Sequence, residues 1–358
     1  MSEKNNALFN LQELFVEPTA HCNEACTMCN RWKWPKQFLD LDNLVARLEE
    51  AEKMGAKRVR FSGGEPLLHP HFQKLMDYFK SHKMHCLVYT NGLLLPNYAE
   101  ELASVNAAVS VSIDGLTAET HDHIRGINGA YDNTHKGIEA FLNARKKYNG
   151  NSHISANFTV QEQNIKDLLN YRNAIDSIGV DQIRFAIIHR PGAINFNSAM
   201  YGVLRSFLEW AEKDPPKTRL LIHPQLYAIA NGHISKESLA EGLPSYALFA
   251  REPLPCYVSH FSMMVAPTGD VYPCIHSFRD NEKQSADRAR RIGNVCEQSL
   301  QEIWNNQPYN SFRSNTIPVR ISDAKELCGI CEYYFKLKEI HQKILCKENL
   351  EPCLNLNT

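Results

Sequence analysis

Short apolar runs alternate with amphipathic stretches from residue 11 to about residue 188. Between two of the runs, Phe72, Leu75, Met76 and Phe79 stand at i, i+3, i+4 and i+7, which predicts one apolar helix face. The alternation predicts six β-then-α units, and this order favours parallel strands joined by right-handed crossovers. The six predicted strands are LQELFVEP, KRVRFSG, HCLVYTN, AAVSVSID, HISANFTV and QIRFAII.

A further helix is predicted after the first strand, with Leu44, Leu48 and Ala51 on its apolar face. Asp40 suits its N-cap and Gly55 its C-cap. The pattern therefore predicts where this helix begins and ends, as well as its apolar face.

Beyond residue 190 the pattern changes. YGVLRSFLEWAEK predicts a helix that DPPK ends, FSMMVAPTGDVYPC predicts a hairpin turning at Thr268–Asp270, and IGNVCEQSLQEIW leads into a short helix. We expect a core domain over residues 11–190, a helical connection over 191–254, and a small C-terminal domain over 255–358.

The bulk composition is that of an ordinary globular protein. The chain has 358 residues, of which 43% are apolar and 22% charged, and its net charge is −1. There is no basic footprint for nucleic acid and no polybasic signal for a membrane surface. The opening residues MSEKNNALFN lack an apolar signal core, and no run is long enough to span a membrane. We expect a cytoplasmic protein without nucleic-acid or membrane partners.

The eleven cysteines are clustered: three lie at residues 22–29 and seven lie beyond residue 255. A cytosolic compartment keeps thiols reduced, so clustered cysteines there indicate metal binding or catalysis rather than disulfides. Unusual residues also follow each of the first four predicted strands, as TAHCNEACTMCN, SGGEP, TNG and SIDG. In parallel α/β folds the chemistry collects at these strand ends.

Cys22, Cys26 and Cys29 can bind an iron–sulfur cube from a single loop. Such clusters normally have four thiolate ligands, so three leave one iron open for another molecule. The alternative is a zinc site with His21 as fourth ligand.

With the segment Ser62–Pro66 (SGGEP), the cysteine loop makes the chain resemble the radical S-adenosylmethionine (SAM) superfamily from about residue 11 to residue 188. The resemblance implies an α/β fold, a partial (β/α)6 TIM-like barrel. It also implies a [4Fe–4S] cluster whose open iron chelates the amino and carboxylate groups of SAM. The reduced cluster then cleaves SAM to methionine and a 5′-deoxyadenosyl radical, with electrons from an external donor such as flavodoxin or ferredoxin.

The resemblance also assigns roles to individual residues. Asn91 of TNG remains open between a SAM contact and a turn residue. Asp114 is a second candidate near the ribose or carboxylate of SAM. The implied set is Cys22, Cys26 and Cys29 for the cluster, Gly63, Gly64 and Glu65 for the amino group, Met28 near adenine, Ser112 near ribose or carboxylate, and Arg125 to neutralise the carboxylate.

The C-terminal cysteines show the order C…GxxxxC…CxxC, which resembles the auxiliary-cluster region of many radical SAM enzymes. The longer SPASM form continues with further cysteines, but Leu337 and His341 stand at those positions. The shorter, twitch-like form is therefore expected, with one auxiliary [4Fe–4S] cluster; a zinc ribbon is the alternative. The expected ligands are Cys256, Cys274, Cys328 and Cys331, and the expected bystanders are Cys296, Cys346 and Cys353.

An auxiliary cluster suits a net dehydrogenation or an epimerisation. In sulfatase-maturing members of the superfamily, an Asp that acts as a base stands at this point of the motif. Ile275 occupies that position here, so sulfatase maturation is not expected. Only ten residues precede the first strand, which favours a small-molecule substrate such as a sugar or aminocyclitol. The alternatives are a peptide maturase and, in another class, a non-catalytic zinc-binding regulator. Candidate substrate-site residues are Tyr89, His189, Arg190 and His276.

Overall fold

The computed structural model describes residues 10–148, 150–188, 195–232, 258–275 and 291–316. Within these ranges no helix is both long and apolar enough to cross a lipid bilayer. The strands are β1 (Glu13–Thr19), β2 (Arg58–Gly63), β3 (His85–Thr90), β4 (Ala108–Ser112), β5 (Ile154–Val160), β6 (Gln182–Ile187), β7 (Arg219–Ile222), β8 (Ser262–Val265), β9 (Asp270–Tyr272) and β10 (Gly293–Asn294). The α-helices are α1 (Leu41–Lys53), α2 (Phe72–Ser81), α3 (Leu95–Ser104), α4 (Ala118–Arg125), α5 (Ala130–Lys147), α6 (Leu168–Ala174), α7 (Ser198–Lys213), α8 (Pro224–Ala230), α9 (Val258–Phe261), α10 (Leu300–Asn305) and α11 (Gln307–Thr316).

The predicted alternation of strands and helices is confirmed: the six predicted strands are β1 to β6, and a helix follows each of them. This is the order of a partial (β/α)6 barrel. Asp40 caps α1 as predicted, since its Oδ1 accepts a hydrogen bond from the backbone N–H of Asn43 at 3.0 Å. The predicted C-cap at Gly55 is wrong by one residue, because the helix closes at Met54 and Gly55 follows with φ of 105°.

The chain divides into two compact units. The cysteine-loop unit contains residues 18–38 and the described residues between 61 and 232, and the hairpin unit contains 10–17, 39–60 and the described residues from 258 onward. The domain boundaries predicted at residues 190 and 254 stay a prediction.

In the cysteine-loop unit, strands β3 to β7 pair in sequence order, and each pairing is parallel. An aromatic cluster fills the core beside β5 and β6: the ring centroid of Phe185 lies 5.6 Å from Phe158, 5.0 Å from Tyr171 and 4.7 Å from Phe207. Burying such large rings is a main source of stability. This core holds the strands whose ends carry the candidate site.

In the hairpin unit, β1 pairs in parallel with β8, and β8 pairs antiparallel with β9. The predicted hairpin is confirmed, since Met264 is opposite Tyr272 and the backbone N–H of Gly269 donates to the carbonyl of Ala266 at 2.9 Å. The buried carboxylate of Glu13 on β1 accepts from Arg58 at 2.6 Å and from Arg60 at 2.8 Å. A buried charge needs such partners.

The edge strand β7 was not predicted. It has only four residues, RLLI, and its side chains are exposed or half-buried. Neither alternation nor a buried run is present, so the pattern carries no strand signal there.

Candidate functional site

The cysteine loop, residues 20–29, begins directly after β1. Cys26 is buried, while Cys22 and Cys29 are half-buried. Burial raises the pKa of Cys22 to about 11 and raises the pKa of Cys26 as well, while the nearby Arg125 opposes both shifts. The thiol of Cys26 lies 3.4 Å from Glu24 Oε2, and Cys29 Sγ accepts from the backbone N–H of Arg31 at 3.4 Å. The loop therefore buries one of the three thiols and leaves the other two partly accessible.

The SGGEP segment fastens the start of this loop through backbone atoms. The N–H of Gly64 donates to the carbonyl of Thr19 at 3.0 Å, and the N–H of Glu65 donates to the carbonyl of His21 at 2.7 Å. A Cβ on Gly64 would overlap the carbonyl groups of His21 and Ala20. Only glycine fits at this close approach.

The C-terminal end of α4 fastens the middle of the loop in the same way. The carbonyl of Ile124 accepts from the N–H of Thr27 at 2.9 Å, and the carbonyl of Arg125 accepts from the N–H of Ala25 at 3.2 Å. Gly126 caps the helix with φ of 68°, and a Cβ there would overlap the carbonyl of Ala25. The loop thus bonds to orphan carbonyls that a helix end leaves available.

Glu65 is fully buried, and its carboxylate accepts three hydrogen bonds. Oε1 accepts from the N–H of Leu67 at 3.1 Å and from the hydroxyl of Thr90 at 2.8 Å, and Oε2 accepts from the N–H of Asn91 at 2.8 Å. Burial raises the pKa of Glu65 to about 7, although these donors oppose the shift. Its carboxylate joins the SGGEP segment to the end of β3.

Arg125 lies in a buried ion-pair network. Its Nε donates to Glu24 at 2.8 Å, and its Nη1 donates to Asp114 at 2.9 Å. Asp114 also accepts from the N–H of Thr159 at 2.7 Å, which ties β5 to the network. Burial raises the pKa of Glu24 and of Asp114, and Arg125 opposes both shifts. Sequence reasoning did not single out Glu24, whose only signal was its position between two ligand cysteines.

Asn91, which the sequence left open, connects two loops. Its Nδ2 donates to Asn23 Oδ1 in the cysteine loop at 2.7 Å, and its carbonyl accepts from the hydroxyl of Thr134 at 3.0 Å. Met28 is half-buried in the same loop, and Ser112 is the half-buried last residue of β4. Gly63 ends β2 next to Gly64. All six predicted SAM-binding residues therefore belong to the cysteine-loop unit: Met28, Gly63, Gly64, Glu65, Ser112 and Arg125.

One face of the parallel sheet in this unit is polar, which is unusual because such sheets are normally apolar on both faces. Ser112 on β4 is in register with Asn157 on β5, and Asn157 is in register with Arg184 on β6. In the neighbouring row, Tyr89 is in register with Ser110, whose hydroxyl accepts from Asn157 Nδ2 at 2.6 Å. Buried and half-buried polar groups thus cross four strands beside the strand ends.

Of the second cysteine set, the structure describes two members, both in the hairpin unit. Cys274 is buried and Cys296 is exposed. A Cβ on Gly269, the glycine of the GxxxxC motif, would lie 2.7 Å from Cys296 Sγ, so the expected bystander lies against that motif. The remaining calls lie outside the described residues and stay predictions: Cys256, Cys328, Cys331, Cys346, Cys353, His189, Arg190, His276, Leu337 and His341.

The residues of the cysteine loop fit a thiolate-ligated cluster that binds SAM. In the described part of the chain, no three His, Cys, Asp or Glu side chains converge on a single metal-ion position. Each thiolate of a [4Fe–4S] cluster binds a different iron, so such convergence is not required. The buried Glu24 Oε1 lacks a hydrogen-bond partner among the described residues, which suits a positively charged neighbour.

Comparison with known families agrees with this geometry. Residues 16–171 match the radical SAM superfamily, and residues 256–332 match SPASM, an iron–sulfur cluster-binding domain. The chain belongs to the radical SAM superfamily and carries a C-terminal SPASM domain. Its cofactors are SAM, the [4Fe–4S] cluster that binds it, and auxiliary iron–sulfur. These iron–sulfur cofactors replace the two zinc sites considered as alternatives, one at the cysteine loop and one in the C-terminal region.

Among characterised relatives, the AdoMet-dependent heme synthase of Methanosarcina barkeri is 27% identical over 338 residues, covering 91% of this chain and 90% of the relative. The mycofactocin maturase MftC of Mycobacterium tuberculosis is 25% identical, covering 89% of this chain and 75% of the relative. Among solved structures, Streptococcus suis SuiB bound to S-adenosylmethionine superposes with a TM-score of 0.65 at 16% identity, covering 87% of this chain and 70% of SuiB. This last likeness confirms the α/β fold.

We expect Gly64→Ala to destabilise the protein by about 1–3 kcal/mol, because the added methyl group forces backbone apart at His21. The matched control is Gly202→Ala in α7, where a Cβ meets nothing within 4 Å. That change should stabilise by about 0.4–1 kcal/mol. Urea denaturation measures both, and iron content after anaerobic reconstitution should fall for Gly64→Ala alone. Equal stability of the two variants would contradict the close packing.

We expect Arg125→Met to destabilise the protein by about 3–5 kcal/mol at pH 8, because it leaves two buried carboxylates without their cation. The folded pKa values of Glu24 and Asp114 already lie above their unfolded values. Without Arg125 they rise further, so the folded state takes up protons as the pH falls and the loss should be smaller at pH 5.

Denaturation at both pH values measures the effect. Arg125→Lys is the control variant. It keeps a positive charge beside the two carboxylates, so its free energy of unfolding should fall by less than that of Arg125→Met. A loss that is independent of pH would count against the ion-pair network.

Proposed function

We propose that this radical SAM enzyme holds its SAM-binding cluster through Cys22, Cys26 and Cys29 and removes a hydrogen atom from an organic substrate. The single observation that carries the assignment is the three-thiol loop fixed between the SGGEP segment and the end of α4. When bound, the cluster supplies the electron that cleaves SAM to a 5′-deoxyadenosyl radical, and the auxiliary cluster supplies an acceptor for an electron from the substrate.

The chain's own residues then bind and orient SAM. Gly63 and Gly64 let the backbone approach the amino group, and Glu65 is a positioning residue, since its carboxylate is used by three donors of the chain. Arg125 offers its further N–H donors to the carboxylate of SAM while Glu24 and Asp114 hold the guanidinium in place. Met28 packs near adenine, and Ser112 hydrogen-bonds the ribose or the carboxylate.

The SPASM domain would hold auxiliary iron–sulfur through Cys256, Cys274, Cys328 and Cys331. An acceptor next to the substrate favours a net oxidation, in which the substrate loses one hydrogen atom to the adenosyl radical and then one electron and one proton. Epimerisation is the related outcome if the substrate radical instead takes up one electron and one proton on its opposite face. The buried position of Cys274 supports a role as ligand rather than as a surface thiol.

For the substrate we propose a polar small molecule. The polar sheet face with Tyr89, Asn157 and Arg184 supports a substrate with hydrogen-bonding groups. The sugar or aminocyclitol expected from the sequence has no counterpart among the relatives named above, so an iron porphyrin, suggested by the heme synthase, is the first compound to test. A peptide is the second candidate, because MftC is a maturase and SuiB has been solved with its precursor peptide SuiA.

We expect Cys26→Ala to abolish 5′-deoxyadenosine formation in anaerobic assays with SAM and dithionite, because the cluster loses one of three ligands. Cys86→Ala is the matched control: Cys86 is also a buried thiol, but it lies within strand β3. Chromatography of the nucleoside product and iron analysis measure both variants. Undiminished cleavage by Cys26→Ala would refute the ligand assignment.

We expect an iron porphyrin to raise 5′-deoxyadenosine formation above the substrate-free rate, because a bound substrate traps the adenosyl radical. Fe-coproporphyrin III, after which another relative from Methanosarcina barkeri is named, is a suitable probe, and metal-free coproporphyrin is its control. Stimulation by a precursor peptide encoded beside this gene, with none by the porphyrin, would favour the peptide candidate instead.

A further inference from the structure

Residues 30–38, NRWKWPKQF, follow the cysteine loop directly and form what we call the aromatic–basic segment. It carries three cationic side chains and no acidic one. Trp32 is 43% exposed and Phe38 is 40% exposed, whereas most large apolar side chains of the described residues are buried. Exposed apolar side chains grouped on a surface mark interaction sites.

The segment is attached to the cysteine loop at both ends. At its start, Trp32 Nε1 donates to the carbonyl of Cys29 at 2.9 Å. At its end, the carbonyl of Gln37 accepts from the N–H of Ala20 at 3.0 Å and from the hydroxyl of Thr19 at 2.9 Å. The segment is therefore a fixed platform beside the ligand cysteines.

Both exposed rings contact residues of the cysteine loop or its immediate edge. Trp32 is bonded to Cys29, and the ring of Phe38 meets the ring of His21 edge-on at 6.2 Å between centroids. His21 immediately precedes Cys22. The exposed ring of Trp32 therefore contacts the third ligand cysteine itself, and the exposed ring of Phe38 contacts the residue that precedes the first.

The cations are arranged around these rings. Lys33 Nζ lies 4.9 Å from the ring centroid of Trp32, and the buried guanidinium of Arg31 stacks on Trp34 at 4.2 Å. Lys33 and Lys36 are exposed, so they present positive charge to solvent. The bonds that fasten the segment use backbone atoms, one hydroxyl and one indole N–H, so they do not account for the exposed ring faces or the two lysines.

Resting on the proposed function, which consumes one electron for each SAM cleaved, we propose that the aromatic–basic segment is the docking surface for a small acidic redox protein. The partner carries a flavin or an iron–sulfur cluster. Its reduced form loses one electron, which enters the SAM-binding cluster at the cysteine loop, and no atom is transferred between the proteins. The partner then leaves in its one-electron-oxidised form.

Charge and position both select this partner. Exposed cations on a segment that itself carries no acidic residue attract an acidic surface and raise the rate of encounter. Redox complexes are typically small and transient, so a short platform is sufficient. Electron transfer requires the donor to come close to the cluster, and this segment lies immediately beside the cysteine ligands.

The test compares two charge-reversal variants of the holoenzyme. Lys33→Glu/Lys36→Glu reverses the charge of the segment. Lys146→Glu/Lys217→Glu reverses two exposed lysines elsewhere in the same unit and changes the net charge equally. SAM cleavage is measured at low salt with reduced flavodoxin, with reduced ferredoxin, and with dithionite. The dissociation constant of each redox protein is measured by surface plasmon resonance.

With the protein donors, we expect Lys33→Glu/Lys36→Glu to cleave SAM about tenfold more slowly or worse, and to bind more weakly. With dithionite, Lys33→Glu/Lys36→Glu should cleave SAM at the rate of the unmodified enzyme. The control variant should match the unmodified enzyme in cleavage rate with every donor and in affinity for both redox proteins. High salt should reduce the difference between the two variants, because it screens the charges.

Equal donor-driven rates and affinities for the two variants would overturn the docking proposal. So would failure of both redox proteins to support cleavage by the unmodified enzyme while dithionite succeeds. If Lys33→Glu/Lys36→Glu lost only the stimulation of SAM cleavage by a peptide, the segment would be assigned to substrate binding instead. Absence of cleavage with dithionite would sink the proposed function itself, and the binding measurement would still test the surface.

Discussion

The site depends on backbone-to-backbone contact on both sides of the cysteine loop. Gly64 on one side and Gly126 on the other lie against carbonyl groups of the loop, where any Cβ would overlap them. Four hydrogen bonds across these contacts fix the chain between residues 19 and 27. Because these contacts use main-chain atoms, the end of strand β2 and the end of helix α4 fix the path of the loop, and the side chains of Asn23 and Glu24 add further bonds. A loop of this length has no regular structure of its own to hold three ligands in place.

The charges around the loop favour a cationic ligand. Glu24, Glu65 and Asp114 are all buried, and burial raises the pKa of each carboxyl. Arg125 bonds Glu24 and Asp114, while Glu65 is bonded by uncharged donors. SAM carries a sulfonium group, an ammonium group and one carboxylate, so its net charge is positive. Binding of this cation would stabilise the ionised forms of the buried carboxylates, because an opposite charge nearby favours the charged form.

Sequence reasoning succeeded where the physics is local. Period-two and period-3.6 patterns located β1 to β6, α1, α2 and α7, and cysteine spacing together with SGGEP located the loop. It failed where a residue's role depends on a distant partner. The carboxylate of Glu65 bonds Thr90 and Asn91, which lie 25 and 26 residues away, and nothing in the SGGEP segment signals these two partners. Glu24 gave no signal, because its partner Arg125 is 101 residues away along the chain. Strand β7 lacked a pattern because its side chains are not buried.

The difference between local patterns and distant partners also explains why the sequence predicts the cofactor but not the substrate. SAM chemistry rests on backbone geometry, which requires glycine at fixed positions and so leaves a motif. The polar sheet face instead consists of side chains such as Tyr89, Asn157 and Arg184, which come from three different strands and leave no contiguous motif. A side chain in the middle of a strand can change while the main-chain bonds of its ladder persist. Under the proposed function, substitutions on this face would alter which substrate is bound without moving the cysteine loop, so one scaffold could direct the same radical to chemically different substrates.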